Sequence, residues 1–274
     1  MSYEKLHNDF NEMLNKLFSL EDDASRIFSN GNLVPIKKPF IIEIEGTDRS
    51  GKETQSKAIQ SRLESMGFTV GIIHFPRYRS DSTNSIKKYL NGEYGELKEV
   101  TDYQASLLYT QDRLDFKLSE FNTYAEAYDI LIFDRYVGSN LIHQSVKSSD
   151  WEEFTNYQFY FEYFKLGLPQ PHVTIFLDMP VDLGKKIAKN RCNKINGKTD
   201  QDIHESNDDY MNKCYDMAHK IADKYSWFTV KCYSEFGPFK RVKNINSITN
   251  EIMEYLDYPI SEYKIFLDNE ILGR

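Results

Sequence analysis

The stretch in which residue type and spacing most directly imply chemistry is Gly46-Thr47-Asp48-Arg49-Ser50-Gly51-Lys52. Two glycines bracket it and a lysine closes it. The apolar run Phe40 to Glu45 precedes it, and the helix-forming run Glu53 to Met66 follows. Glycines let the backbone curl so that successive amide N–H groups converge on an anion, the helix start adds partial positive charge, and a lysine reaches the outer phosphates. Strand, glycine-bounded loop, lysine and helix in that order meet the context a phosphate cradle needs. Gly46, Thr47, Asp48, Arg49, Ser50, Gly51, Lys52, Glu53 and Thr54 are therefore the candidate triphosphate-binding set. Lys52 and Arg49 are candidate catalytic residues, because a guanidinium beside a transferring phosphoryl group neutralises charge as it develops.

One position departs from the pattern. The residue after Lys52, where a Ser or Thr hydroxyl on magnesium is usual, is Glu53, and the hydroxyl of Thr54 comes one position late. Glu53 either presents its carboxylate to the metal, directly or through water, or points away while Asp48 and Asp134 hold the ion with phosphate oxygens. A carboxylate that merely complements the helix dipole is a further reading. Asp48, Glu53 and Asp134 are thus the candidate metal residues.

The elements that must position these groups read as short apolar runs alternating with helical stretches, the signature of a largely parallel sheet covered on both faces. Strands are expected at Phe40 to Glu45, Thr69 to Phe75, Ile130 to Asp134, Val173 to Asp178 and Trp227 to Tyr233, with ligands gathering at their carboxyl ends. Ahead of them Leu6, Phe10, Met13, Leu14, Leu17 and Phe18 recur at helical spacing, and Asn30-Gly31 and Pro35 should end that leader. The polar segment from Lys189 to Ser206 reads as a loop able to act as a lid. The division expected is an amino-terminal helical extension (1–38), a nucleotide-binding domain (39–257) and a carboxy-terminal tail (258–274).

Several separated phrases of this domain resemble the thymidylate kinase family. They are Glu45-Gly46-Thr47-Asp48-Arg49-Ser50-Gly51-Lys52-Glu53-Thr54-Gln55, Phe75-Pro76-Arg77-Tyr78, Leu107-Leu108-Tyr109-Thr110-Gln111-Asp112-Arg113, Asp134-Arg135-Tyr136 with Ser139-Asn140, and Gly167-Leu168-Pro169-Gln170-Pro171. The resemblance implies an α/β P-loop NTPase fold of three α/β/α layers around a five-stranded parallel sheet, and phosphorylation of dTMP to dTDP with ATP and Mg²⁺ in dTTP biosynthesis. A kinase of broader deoxynucleoside or monophosphate range, and a nucleotide-binding protein that has lost catalysis, are the alternatives. It implies that Tyr109 stacks on thymine, Arg113 bonds a base carbonyl, Asn140 bonds the ring and Asp48 contacts the sugar hydroxyl. Arg135 would grip the acceptor phosphate by two parallel bonds, with Tyr78 adding a hydroxyl, and Phe75 belongs to the same substrate set. Arg77 either assists or pairs with an acid. Asp134 orients magnesium-bound water, braces the arginines, or forms a structural ion pair.

In the lid segment Arg191 would close over the nucleotide with Lys194 and Lys198, and His204 and Glu205 fall in a similar family segment. His204 and His143 replace family tyrosines, which leaves the choice between deoxyribose and ribose open. Family members form homodimers, and the apolar content of Val137 to Val146 and Phe154 to Phe164 suits either a dimer face or burial within one subunit.

Composition narrows the partners. Among 274 residues, 34 basic against 42 acidic side chains give a charge of −8, which speaks against broad binding to nucleic acid or an anionic membrane. Three widely spaced cysteines, no apolar run long enough to span a bilayer and no basic, apolar leader fit a soluble, cytoplasmic protein.

Overall fold

The computed structural model describes residues 26–29, 32–35, 39–187, 207–237 and 239–272. Arg26–Ser29 (β1) and Asn32–Pro35 (β2) pair antiparallel, so these described residues of the extension are strands rather than the end of a helix. Asn-Gly between two short strand-forming runs is itself a hairpin signal. The periodic leader from Leu6 to Phe18 lies outside the described residues, as does the lid candidate with Arg191, Lys194, Lys198, His204 and Glu205.

The central sheet contains Phe40–Glu45 (β3), Val70–His74 (β4), Ile130–Asp134 (β5), Val173–Asp178 (β6) and Phe228–Lys231 (β7). Their order is β4-β5-β3-β6-β7, and every pairing is parallel. The five expected strands are present in the expected places: β3, β5 and β6 with the expected bounds, β4 and β7 trimmed at their ends. Side-chain alternation builds two cores. Phe40, Ile42, Ile44, Ile130 and Ile132 face one side, against Ile59 and Leu63 of Lys52–Ser65 (α1). Ile41, Leu131 and Phe133 face the other, where Phe116, Leu141, Ile142 and Phe159 pack.

The remaining helices are Asn84–Leu90 (α2), Asp102–Ser119 (α3), Phe121–Ala127 (α4), Val137–Ser145 (α5), Trp151–Tyr160 (α6), Val181–Ile187 (α7), Asp208–Lys224 (α8) and Ile245–Leu272 (α9). A capping box of Thr101 and Gln104 starts α3, satisfying two otherwise orphaned N–H groups. A π-helical turn, Phe161–Lys165, extends α6.

Two expectations are corrected. The strand expected to run to Tyr233 stops at Lys231; Tyr233–Phe236 (β8) and Phe239–Val242 (β9) form a separate antiparallel hairpin. Residues 258–274 were expected as a tail, yet α9 runs on through Pro259, with Ile260 and Tyr263 in the core and Tyr263 Oη donating to Asp129 O at 2.7 Å. Proline reads as a helix stop, but burial of these side chains outweighs the lost bond.

Candidate active site

One side of the site is the loop between β3 and α1. Gly46 has φ +152°, and a Cβ there would meet Ser50 Oγ at 2.6 Å and Leu177 O at 3.0 Å, so only glycine fits. Gly51, at φ +94°, turns the chain into α1. Lys52 is buried, and its ammonium donates to Gly46 O at 2.8 Å and Thr47 O at 2.7 Å. Burial first, then the neighbouring Arg135, pushes its pKa down to about 7, partly opposed by Asp48, Asp134 and Glu45. A phosphate brought to the loop adds negative charge and reverses that bias. Thr47 Oγ1 is buried without a hydrogen-bond partner among the described residues, an orphan that a ligand oxygen suits. Arg49 sits at φ +66°. Gly184 of α7 lies so close that a Cβ would meet Arg49 O at 3.1 Å, which seats the loop on α7.

The facing side begins at the end of β5, next to β3 in the sheet. Arg135 N donates to Ile44 O at 3.1 Å, continuing the ladder for one residue before the chain turns at φ +69°. Its guanidinium pairs with Asp48, which joins the two loops. Burial opposes its charge, but Asp48, Glu45 and Asp134 hold Arg135 firmly protonated. Asp134 accepts from His74 Nδ1 at 2.8 Å. Burial would raise its pKa, yet the His74 bond, Lys52 and Arg135 outweigh that and keep it below the usual carboxylate value. Tyr78 is half-buried within electrostatic reach of Arg135.

Further along the same side, Tyr109 is half-buried with its ring edge-on to Tyr89 at 6.4 Å. Arg113 and Asn140 are buried and meet at one carboxylate, Glu162. Arg113 Nε and Nη2 donate to its two oxygens at 2.6 Å each, and Asn140 Nδ2 donates to Oε1 at 3.1 Å. His143 is buried, with Nδ1 at 3.5 Å from Cys214 Sγ. Burial, helped by Arg135 and Lys52 and opposed in part by Asp48, pushes its pKa down to about 4, so it is neutral at physiological pH.

The structure bears on three further residues singled out in the sequence. Glu53 does not converge with Asp48 and Asp134: it bonds Lys57 at 2.9 Å on the helix flank, an ordinary i,i+4 pair at a helix start. Phe75 is a core residue, with ring centroids 5.4 Å from Phe116, 5.6 Å from Phe133 and 5.2 Å from Tyr136. Arg77 takes the ion-pair alternative, bonding Asp112, Asp115 and Glu120 and so tying the loop after β4 to α3.

Among the described residues no three His, Cys, Asp or Glu groups gather as a protein-only metal cage. The site still fits a magnesium ion, since that ion commonly takes one or two carboxylates plus substrate phosphates. Asp134, ionised at the strand end, and Asp48 are the hard oxygen donors present.

Sequence reading missed Glu43, Glu45 and Glu162. Glu43 and Glu45 lie on one face of β3. Glu45 accepts from Tyr136 N at 2.8 Å and Ser139 Oγ at 2.8 Å, while Glu43 accepts from Gly138 N at 2.9 Å and Thr174 Oγ1 at 3.0 Å. Together they cap the start of α5, for which Tyr136 supplies no side-chain cap. The available signal was acids alternating inside a strand, Phe-Ile-Ile-Glu-Ile-Glu, and one acid inside an aromatic run, Phe159 to Phe164.

A lysine-bearing glycine loop facing an arginine across adjacent parallel strands, with a polar pocket beyond, defines a P-loop kinase of the nucleoside-monophosphate type. The thymidylate kinase family model matches residues 44–237. The chain is 28% identical over 168 residues to the thymidylate kinase of Mycobacterium tuberculosis, covering 58% of this chain and 75% of that protein. It is 28% identical over 162 residues to the human thymidylate kinase, covering 56% and 67%. The solved thymidylate kinase of Candida albicans superposes with a TM-score of 0.59 over 82% of this chain and 94% of that one, at 20% identity, a likeness of fold. The chain belongs to the thymidylate kinase family.

Proposed function

We propose that this family member transfers the γ-phosphoryl group of ATP to dTMP, with Mg²⁺, giving dTDP. The observation that carries the reading is the placement of Lys52 and Arg135 at the carboxyl ends of neighbouring strands, linked by Asp48. The loop amides and Lys52 hold the donor phosphates. Arg135, with Tyr78, holds the acceptor phosphate in line with the donor. The acceptor oxygen is already anionic, so positioning and charge neutralisation dominate and no general base is required. Asp134 and Asp48, with phosphate oxygens, would hold the magnesium ion, which supplies neutralisation of phosphate charge. Arg49 stabilises charge developing on the transferred group. Tyr109 provides a face for the base, and Arg113 and Asn140 its polar edge.

No helix among the described residues is long and apolar enough to cross a membrane. The reading includes a homodimer. Nearly all of α5 is buried within the subunit, so the exposed Tyr103 and Leu107 of α3 with Tyr157 of α6 are the face offered. The test of the function is a coupled ADP-release assay with ATP, Mg²⁺ and a panel of nucleoside monophosphates. Magnesium-dependent turnover highest with dTMP is expected; no turnover with any acceptor refutes the reading.

A further inference from the structure

The carboxylate of Glu162 organises the polar end of the acceptor pocket. It is fully buried in the π-helical turn, a distortion that recurs at functional sites. Besides Arg113 and Asn140 it accepts from Thr110 Oγ1 at 3.1 Å and Gln158 Nε2 at 2.6 Å. These bonds decide what Arg113 and Asn140 have left to offer. Arg113 spends Nε and Nη2 on Glu162 and Thr110, and one Nη1 hydrogen on Tyr136 O at 3.2 Å. Of its five N–H groups, one on Nη1 has no partner among the described residues. Asn140 commits Nδ2 to Glu162 and to Ser106, with Ser106 Oγ at 2.9 Å, which makes Oδ1 the uncommitted end of its amide. The cluster therefore keeps one donor, an Arg113 Nη1 hydrogen, and one acceptor, Asn140 Oδ1, uncommitted among the described residues.

We propose that Glu162 is the positioning residue that sets base selectivity, by fixing the Arg113 guanidinium and the Asn140 amide so that the pocket matches a base edge with a carbonyl beside a ring N–H. Thymine and uracil have that edge. Cytosine presents an amino group beside an unprotonated ring nitrogen and mismatches both groups. A site built for one hydrogen-bond pattern rejects the reverse by leaving buried partners unmatched. The inference rests on the dTMP kinase reading and extends it to a residue that acts through Arg113 and Asn140.

Glu162→Gln tests it. The glutamine keeps the shape but carries its own N–H₂, which can donate to Asn140 Oδ1 and release the amide to turn over. The expected result is a folded enzyme whose ratio of kcat/KM for dTMP over dCMP falls at least about tenfold, roughly 1.4 kcal/mol. The KM for dTMP should rise more than kcat falls, with the KM for ATP unchanged. Glu162→Asp, which keeps the charge but shortens the reach, should lower the ratio less. An unchanged ratio in either folded variant overturns the proposal, and wild-type protein inactive on every acceptor instead overturns the dTMP kinase reading. A measurement on unaltered protein covers variants that do not fold. The Arg113 Nε–H signal in a ¹⁵N spectrum should exchange slowly and shift with dTMP but not with dCMP; equal shifts overturn the proposal.

Discussion

Glu43→Gln isolates one carboxyl whose proton is held by the fold. Glu43 and Glu45 are 1% and 0% exposed on the same face of β3. Burial, then the charge of Glu45, raises the Glu43 pKa well above 4.5, even though Gly138 N–H and Thr174 favour ionisation. Tyr136 and Tyr163 also feel the Glu43 charge. Both tyrosines are themselves pushed upward by burial, so they stay neutral with it. For the sign, an acid whose folded pKa is raised stabilises the fold fully below its unfolded pKa, and that contribution is lost as pH rises toward the folded pKa. The unfolded chain releases the proton first, at a limiting slope of about 1.4 kcal/mol per pH unit. Glutamine imitates the protonated acid: its carbonyl takes the Gly138 N–H and its amide donates to Glu45, with no proton to lose. The stability of Glu43→Gln minus that of wild type should therefore grow as pH rises above the unfolded carboxyl range, until the folded Glu43 itself ionises. Urea unfolding at a series of pH values measures it through the midpoint and slope. A difference that stays flat as pH rises refutes a shared proton in the β3 pair.

Other outcomes follow from the same geometry. Gly138→Ala should destabilise by about 1–3 kcal/mol, seen as a lower Tm, because the new methyl would lie 2.7 Å from Trp227 and 2.8 Å from Glu45. Arg49→Ala should lower kcat by about tenfold or more with KM little changed; a change in KM alone removes its catalytic role. Lys52→Ala should damage both ATP affinity and turnover, as read by nucleotide titration and steady-state rates. Arg77→Met should cost about 3–5 kcal/mol of stability by leaving buried Asp112 without its cation, and calorimetry should show that loss.

What the sequence discloses and what it withholds divide along the range of the interaction. The strands β3, β5 and β6 announce themselves because Phe-Ile-Ile-Glu-Ile-Glu, Ile-Leu-Ile-Phe-Asp and Val-Thr-Ile-Phe-Leu-Asp are apolar runs bounded by turn residues, and the phosphate loop is legible because its parts are contiguous. Arg113 is equally visible as a residue, but its partner is 49 positions away on a different helix, and no local pattern couples the two. The same holds for Asp112 with Arg77, 35 residues apart. Phe75 packs among core aromatics, and a strand-end aromatic looks the same in sequence whether it lines a cleft or fills a core. Glu53 was ambiguous until Lys57 settled which way it turns.

These long-range pairs have a consequence for how the site takes its ligands. Cations of the site already have partners inside the protein: Arg135 pairs with Asp48, Arg113 pairs with Glu162, and the Lys52 ammonium donates to carbonyls of its own loop. A phosphate that enters does not meet bare charges; it exchanges with or joins existing partners, so the net gain is smaller than Coulomb attraction to a free cation. The exchange is easiest at Arg135, whose pair with Asp48 is about one-fifth exposed on both sides, and hardest at Arg113, whose pair is nearly closed to solvent. On the proposed reading, phosphate binding has a cation able to change partners, Arg135, whereas base recognition has one that stays fixed, Arg113. Affinity for the acceptor should accordingly fall with ionic strength through Arg135, while the preference among bases, set by the closed pair, should not.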